Sequence, residues 1–122
     1  MNNKQKTNIL LEKADKFAWM VYKLTKKFPK DELFALTSQL RRAALSVPVN
    51  IVEGFARYSL GEHCQFSEVA YGSLKETKYL LYFSLREEYI NKNEYSEIIE
   101  LAEEISKMLW KKIQTLRKKQ RP

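Results

Sequence analysis

The stretch from Leu36 to Arg57, LTSQLRRAALSVPVNIVEGFAR, constrains this chain more than any other part of it. On a helical wheel of about 100° per residue, Leu33, Leu36, Leu40, Ala44, Val47 and Ile51 form one apolar stripe. Phe34, Leu45, Val49 and Val52 form a second, roughly a third of a turn away. A helix with one stripe needs one core, whereas a helix apolar on most of its circumference needs neighbours on several sides. A chain of 122 residues hardly supplies them all, so the segment points outward, to other copies or to a partner. Pro48 sits inside it, without an amide hydrogen and with a ring that crowds the carbonyl one turn earlier. A bend or break is expected there.

The length fits a single domain over 1–122, with 1–7 and 118–122 expected as flexible ends. A hydrophobic fraction of 44% with 12% aromatics describes a folded globule rather than a disordered chain. Three glycines and three prolines leave little material for hairpin turns, which favours an all-α chain. The single cysteine, Cys64, excludes an intrachain disulfide and fits a reducing, cytoplasmic location. No apolar run has the length of a bilayer span, and the start Met1-Asn-Asn-Lys-Gln-Lys lacks the apolar core of a signal peptide, so no membrane partner is expected.

Caps and periodicity divide the chain into four helices. The first is expected from about Asn8 to Phe28, with Leu10, Ala14, Phe17, Val21, Leu24 and Phe28 in a seam that Pro29 ends. The second is expected from Asp31 toward Arg57. Ser59-Leu-Gly-Glu62 has capping-box spacing and opens a third, whose seam is Phe66, Ala70, Ser73, Thr77, Leu80 and Ser84. Asn91-Lys-Asn-Glu94 opens the fourth, with Tyr95, Ile98, Ala102, Ile105, Leu109 and Ile113 in its seam. Short links make consecutive helices antiparallel, an up-down-up-down four-helix bundle.

The Leu36–Arg57 stretch, followed by Phe66, Ala70, Gly72-Ser73-Leu74 and Glu76, closely resembles the four-helix-bundle proteins encoded within intervening sequences of bacterial 23S ribosomal RNA genes. The accessory variability proteins of diversity-generating retroelements look like relatives. The resemblance covers almost the whole chain and implies a four-helix bundle, a homopentameric ring, a role in nucleic-acid binding and no catalytic activity.

Charge supplies a separate clue. The net charge is +7, and residues 1–30 carry eight lysines, Lys4 and Lys6 among them, against Glu12 and Asp15. Lys107, Lys111, Lys112, Arg117, Lys118, Lys119 and Arg121 follow one another with no acid between. In an up-down-up-down bundle these two segments and the turn at Arg57 share one end, which a symmetric ring would repeat on one face. Such an end suits RNA or DNA phosphates. It equally suits a solvated helix C-terminus, where cations favour the dipole.

Other residues divide between structure and function. Arg41 and Arg42 fit either phosphate contacts or ion pairs with Glu53 or Glu76. Asn50 and Glu53 read as a hydrogen-bonded polar pair on an apolar helix, and Gly54 and Gly72 as points of close helix approach. Trp19 and Tyr22 on the first helix, and Tyr71, Tyr79 and Tyr82 on the third, fall off the seams. With Phe34 and Leu45, the residues Trp19, Tyr22 and Tyr71 are the candidate oligomer interface. Base stacking on these aromatics is the alternative use.

Catalytic, cofactor and metal motifs are missing from the sequence. His63 and Cys64 are adjacent and diverge by about 100° on a helix, a poor nucleophile–base couple. The expectation is a non-enzymatic, cofactor-free homo-oligomer that binds nucleic acid through its basic end. A scaffold that docks a partner polypeptide, as the retroelement relatives dock a reverse transcriptase, is the rival reading.

Overall fold

The computed structural model describes residues 1–121. Four helices, α1 (Asn3–Thr25), α2 (Leu36–Phe55), α3 (Leu60–Arg86) and α4 (Lys92–Gln120), are joined by short links, with a 3-10 turn over Lys30–Glu32. No strand occurs among the described residues. α1 packs on α2, α2 on α3, α3 on α4, and α4 closes back on α1, while the diagonal backbones stay apart among the described residues. This is the up-down-up-down bundle expected from the seams.

Helix boundaries follow the caps. α1 starts at Asn3, not near Asn8, because Asn2 and Gln5 form a reciprocal capping box with bonds of 2.8 and 2.9 Å. It ends at Thr25, so Phe28 lies in the link. Residues 3–7 and 118–120 belong to α1 and α4, and Pro122 lies outside the described residues. α2 starts at Leu36, not near Asp31, since residues 30–32 close a separate 3-10 turn. Its N-cap is Ala35, which offers no side-chain acceptor; Glu32 Oε1 instead accepts from the Leu36 amide at 3.4 Å. α3 has only half of the expected box, the Glu62 amide donating to Ser59 Oγ at 3.0 Å. Asn91 and Glu94 complete both bonds at the start of α4.

α2 runs through Pro48 without the expected break. Val47, Pro48 and Ile51 are all buried there, and tertiary packing holds the turn despite the missing amide. The first α2 stripe is buried from Leu36 to Ile51, but Leu33 is exposed because the residues before Leu36 do not continue the helix. On α3 the buried line is Cys64, Ser67, Ala70, Leu74, Thr77, Leu81 and Ser84. The expected seam shares Ala70, Thr77 and Ser84 with it, while Phe66, Ser73 and Leu80 are only half-buried. Those three mark the edge of α3 nearer α2: Ser73 Oγ donates to Ser46 Oγ at 3.0 Å, and Phe66 lies against Gly54. α3 must face two neighbours at once, so its buried face is broader than a single seam and centred between them.

The core is the set Leu10, Phe17 and Val21 of α1, Leu40, Val47 and Ile51 of α2, Leu74 and Leu81 of α3, and Ile98, Ile105 and Leu109 of α4. Ion pairs tie α4 to its neighbours: Lys13 and Lys27 of the α1 side with Glu104 and Glu94, Lys78 with Glu103, and Arg117 with Glu68. These pairs are largely exposed, each worth at most about 1 kcal/mol.

The bundle end near the 3-10 turn is tied together by side chains, beside an open groove of about 560 Å³ lined by Lys27, Leu85, Tyr89 and Glu94. Phe28 and Tyr89 pack at 5.2 Å between ring centroids with their planes tilted by 49°, and the Tyr89 hydroxyl donates to Glu32 Oε2 at 2.9 Å. That bond holds the Tyr89 phenol up at about 12. α3 terminates in a Schellman motif, with the Tyr89 amide on the Ser84 carbonyl and the Glu88 amide on the Leu85 carbonyl. Glu88 takes the left-handed position at φ 62°, where glycine is usual.

Candidate functional site

The opposite end joins the start of α1, the end of α2, the start of α3 and the end of α4. The four elements surround a cavity of about 400 Å³ with Lys4, Lys6, Lys111, Lys112 and Lys119 in its lining and no carboxylate among the described residues. Its walls are mostly apolar, from Leu10, Phe55, Leu60, Met108 and Leu116. Five lysines therefore gather at the end where topology places them.

The other cations of the expected cluster have different surroundings. Arg57 pairs with Glu53 one turn away at 2.9 Å and lies over the Phe66 ring. Arg117 pairs with Glu68 at 3.0 Å and lies near the Trp110 ring. Lys107 lies closer to the acidic band of α4. Glu103 and Glu104 there are held below the ordinary carboxylate range by hydrogen bonds from Lys78 and Lys13, with Lys107 adding a smaller pull. Lys118 and Arg121 are exposed and stand outside the cavity lining.

Two polar atoms at this end are buried without a hydrogen-bond partner among the described residues, Lys112 Nζ and His63 Nε2. Burial pushes the Lys112 ammonium down to about 8. Burial also lowers His63, with Lys112 and Lys119 adding to it, so the imidazole favours its neutral form. The His63 ring stands edge-on to Phe55 at 6.4 Å. Cys64 turns the other way, its Sγ 3.4 Å from Glu68 Oε1 and its thiol pushed up, first by burial. Gly54 is buried beneath His63 and Phe66; an added Cβ would meet Phe66 Cβ at 3.0 Å and His63 Cδ2 at 3.2 Å.

The sequence pointed to the lysines but missed His63 and the apolar walls as parts of one site. A signal was available. Lys112 falls in the helical line Ile105, Leu109, Lys112, Leu116, where every other member is buried.

The remaining candidates lie along the sides. Arg41 makes no ion pair among the described residues; its Nε donates to Thr25 Oγ1 at 2.8 Å, and the guanidinium lies over Tyr22 at 5.0 Å. It ties α2 to α1. Arg42 is exposed, also without an ion pair. Asn50 does not meet Glu53; its Nδ2 donates to the Ser46 carbonyl and hydroxyl at 2.7 and 2.8 Å, one turn back. The close approach expected at Gly72 is absent within the chain, where a Cβ would meet nothing within 4 Å. Tyr71 is not an outward aromatic: half-buried, it packs against both hydrophobic clusters and 5.7 Å from the Trp110 ring.

The second stripe of α2 has no cover. Phe34, expected in that stripe, lies in the link before α2 and is 93% exposed, while Leu45, Val49 and Val52 on α2 are each about half exposed. The last three, with Leu11, line an open groove of about 680 Å³ between α1 and α2. Trp19, 59% exposed, and Tyr22 continue the α1 side of that face, at helical spacing from Asn8, Glu12 and Asp15 of the groove rim.

Among the described residues, no group of three or more His, Cys, Asp or Glu side chains is placed to hold a metal ion. No described helix is long and apolar enough to cross a membrane.

Residues 6–111 match the model of a family described as 23S rRNA-intervening sequence protein. A similar solved structure is a protein of unknown function from the S23 ribosomal protein family of Bacteroides thetaiotaomicron. It is 28% identical, with a TM-score of 0.83 over 89% of this chain and 98% of the other. No curated protein matches.

Proposed function

The chain belongs to the 23S rRNA-intervening sequence protein family, and from that premise we propose that it is a non-enzymatic homo-oligomer that binds RNA or DNA through its basic end. The observation that carries the reading is the set of five lysines converging at one end with no carboxylate among them. Phosphate binding needs that arrangement, because each contact releases condensed counterions. Arg57 and Arg117 contribute less, being neutralised by Glu53 and Glu68.

Self-association through the α1–α2 face multiplies the basic end. Leu45, Val49 and Val52 with Trp19 and Tyr22 offer a contiguous, partly apolar surface of the kind that protein interfaces cover. By family resemblance the assembly is a five-membered ring. The same face supports the rival reading, a scaffold for a partner polypeptide.

Binding of a labelled RNA and a labelled DNA, measured across a salt series, tests the proposal. Affinity falls steeply with salt and differs little between base sequences, since lysines position a backbone without reading base edges. Replacing Lys111, Lys112, Lys118 and Lys119 by glutamine weakens binding to every sequence and leaves helicity and oligomer mass unchanged. A quadruple variant that binds as well as the parent overturns the nucleic-acid reading and leaves partner docking in its place.

A further inference from the structure

We propose that the cavity at the basic end is a binding site for a small amphipathic anion, an acyl carboxylate whose chain lies on the apolar walls and whose head group meets Lys112. Three observations converge on that chemistry. The walls are mostly hydrocarbon, from Leu10, Phe55, Leu60, Met108 and Leu116, so water alone is a poor occupant. Two of the lining residues, Lys112 and His63, each keep a buried polar atom, Nζ and Nε2, with no partner among the described residues. An unpaired buried cation is costly, and an anion beside it removes the penalty. Lastly, no carboxylate among the described residues lines the cavity to do this internally.

Charge and volume narrow the ligand. The other four lysines of the lining are exposed and already hydrated, so the buried part of the site lacks one negative charge, not two. A carboxylate supplies it and can also accept a hydrogen bond from the imidazole of His63. At roughly 30 Å³ for each water-sized group, the cavity holds on the order of ten heavy atoms, the size of a medium-chain fatty acid. The inference does not depend on nucleic-acid binding, since a monomeric acyl anion has no phosphate backbone.

Calorimetric titration of the full chain with decanoate, below its micellar concentration, tests the site. One decanoate binds per chain; decan-1-ol, with the same chain and no charge, binds at least tenfold more weakly, and acetate gives no heat. Lys112→Met lowers decanoate affinity at least tenfold. Thr115→Trp, which fills the cavity from an exposed position on its lining, lowers it as well. Lys118→Met, which removes a nearby charge outside the lining, leaves it unchanged. Equal binding of decanoate and decan-1-ol, equal losses from Lys112→Met and Lys118→Met, or no decanoate heat would each overturn the proposal. Should Lys112→Met fail to fold, the alcohol comparison and the Thr115→Trp and Lys118→Met variants still decide it.

Discussion

The two ends of this bundle are built from the same helices and end differently. Near the 3-10 turn, Phe28 and Tyr89 pack together, the Tyr89 hydroxyl satisfies Glu32, and Glu32 also receives the first amide of α2. At the basic end a cavity stays open among five lysines, and Lys112 and His63 keep buried atoms without partners. At one end the buried side-chain polar atoms are matched; at the other, two of them have no partner among the described residues. Satisfied polar groups hold a fold together, and unsatisfied ones mark places where a native structure answers to a function.

The sharpest break of this contrast is Phe28→Ala. Phe28 is buried at the matched end, so the variant loses about 3–5 kcal/mol of stability, measured by chemical denaturation. A loss below about 1 kcal/mol would mean that the matched end does not carry the bundle.

Lys112→Met sharpens the other side. The ammonium of Lys112 has its pKa lowered from an ordinary 10.5 to about 8 by burial. Between those values the unfolded chain binds more protons than the folded one, so this group makes stability rise as pH goes from about 8 toward 10.5. Below about 8 both states are charged and the full penalty is present. The variant removes it and gains on the order of 1 kcal/mol at neutral pH, a figure discounted for the part of the side chain that meets water. Its gain over the parent shrinks as pH rises from 8 to 10 in paired denaturation curves. Taking the difference cancels Tyr89, whose raised phenol pKa acts in the opposite direction above the ordinary tyrosine range. A gain that does not vary with pH would show that Lys112 is not a buried cation.

The smallest effect belongs to Glu88. Its left-handed backbone at φ 62° is a strained feature of the matched end, and Glu88→Gly relieves it. Thermal melts then rise by the equivalent of about 1 kcal/mol or less. A lower melting temperature would mean that the Glu88 side chain holds the turn.

Much of the fold was legible in the sequence because helical period and caps are local. The seams of α1 and α4 point to Leu10, Phe17, Val21, Ile98, Ile105 and Leu109, all buried. The Asn91 and Glu94 box is readable from spacing alone, and the Asn2 and Gln5 box has the same spacing in the sequence. Pro48 does not break α2, for a physical reason: an isolated helix tends to break at proline, whereas one packed on two sides continues through it. The α3 seam was offset because a sequence shows that a face is apolar, not which of two neighbours it meets.

The candidate site divides the same way. Charge and topology together place Lys4, Lys6, Lys111, Lys112 and Lys119 at one end, since antiparallel helices bring the two termini together. Likewise the second stripe of α2 had to lie uncovered in a chain this short, and Phe34, Leu45, Val49 and Val52 are exposed. What only the tertiary structure decided is which polar groups find partners. Arg41 met Thr25 rather than a carboxylate, Arg57 and Arg117 were neutralised, and Lys112 Nζ and His63 Nε2 were left without a partner among the described residues. Periodicity is a property of one helix, but satisfaction of a charge depends on distances of a few ångströms between different helices, and those distances exist only after the bundle has closed.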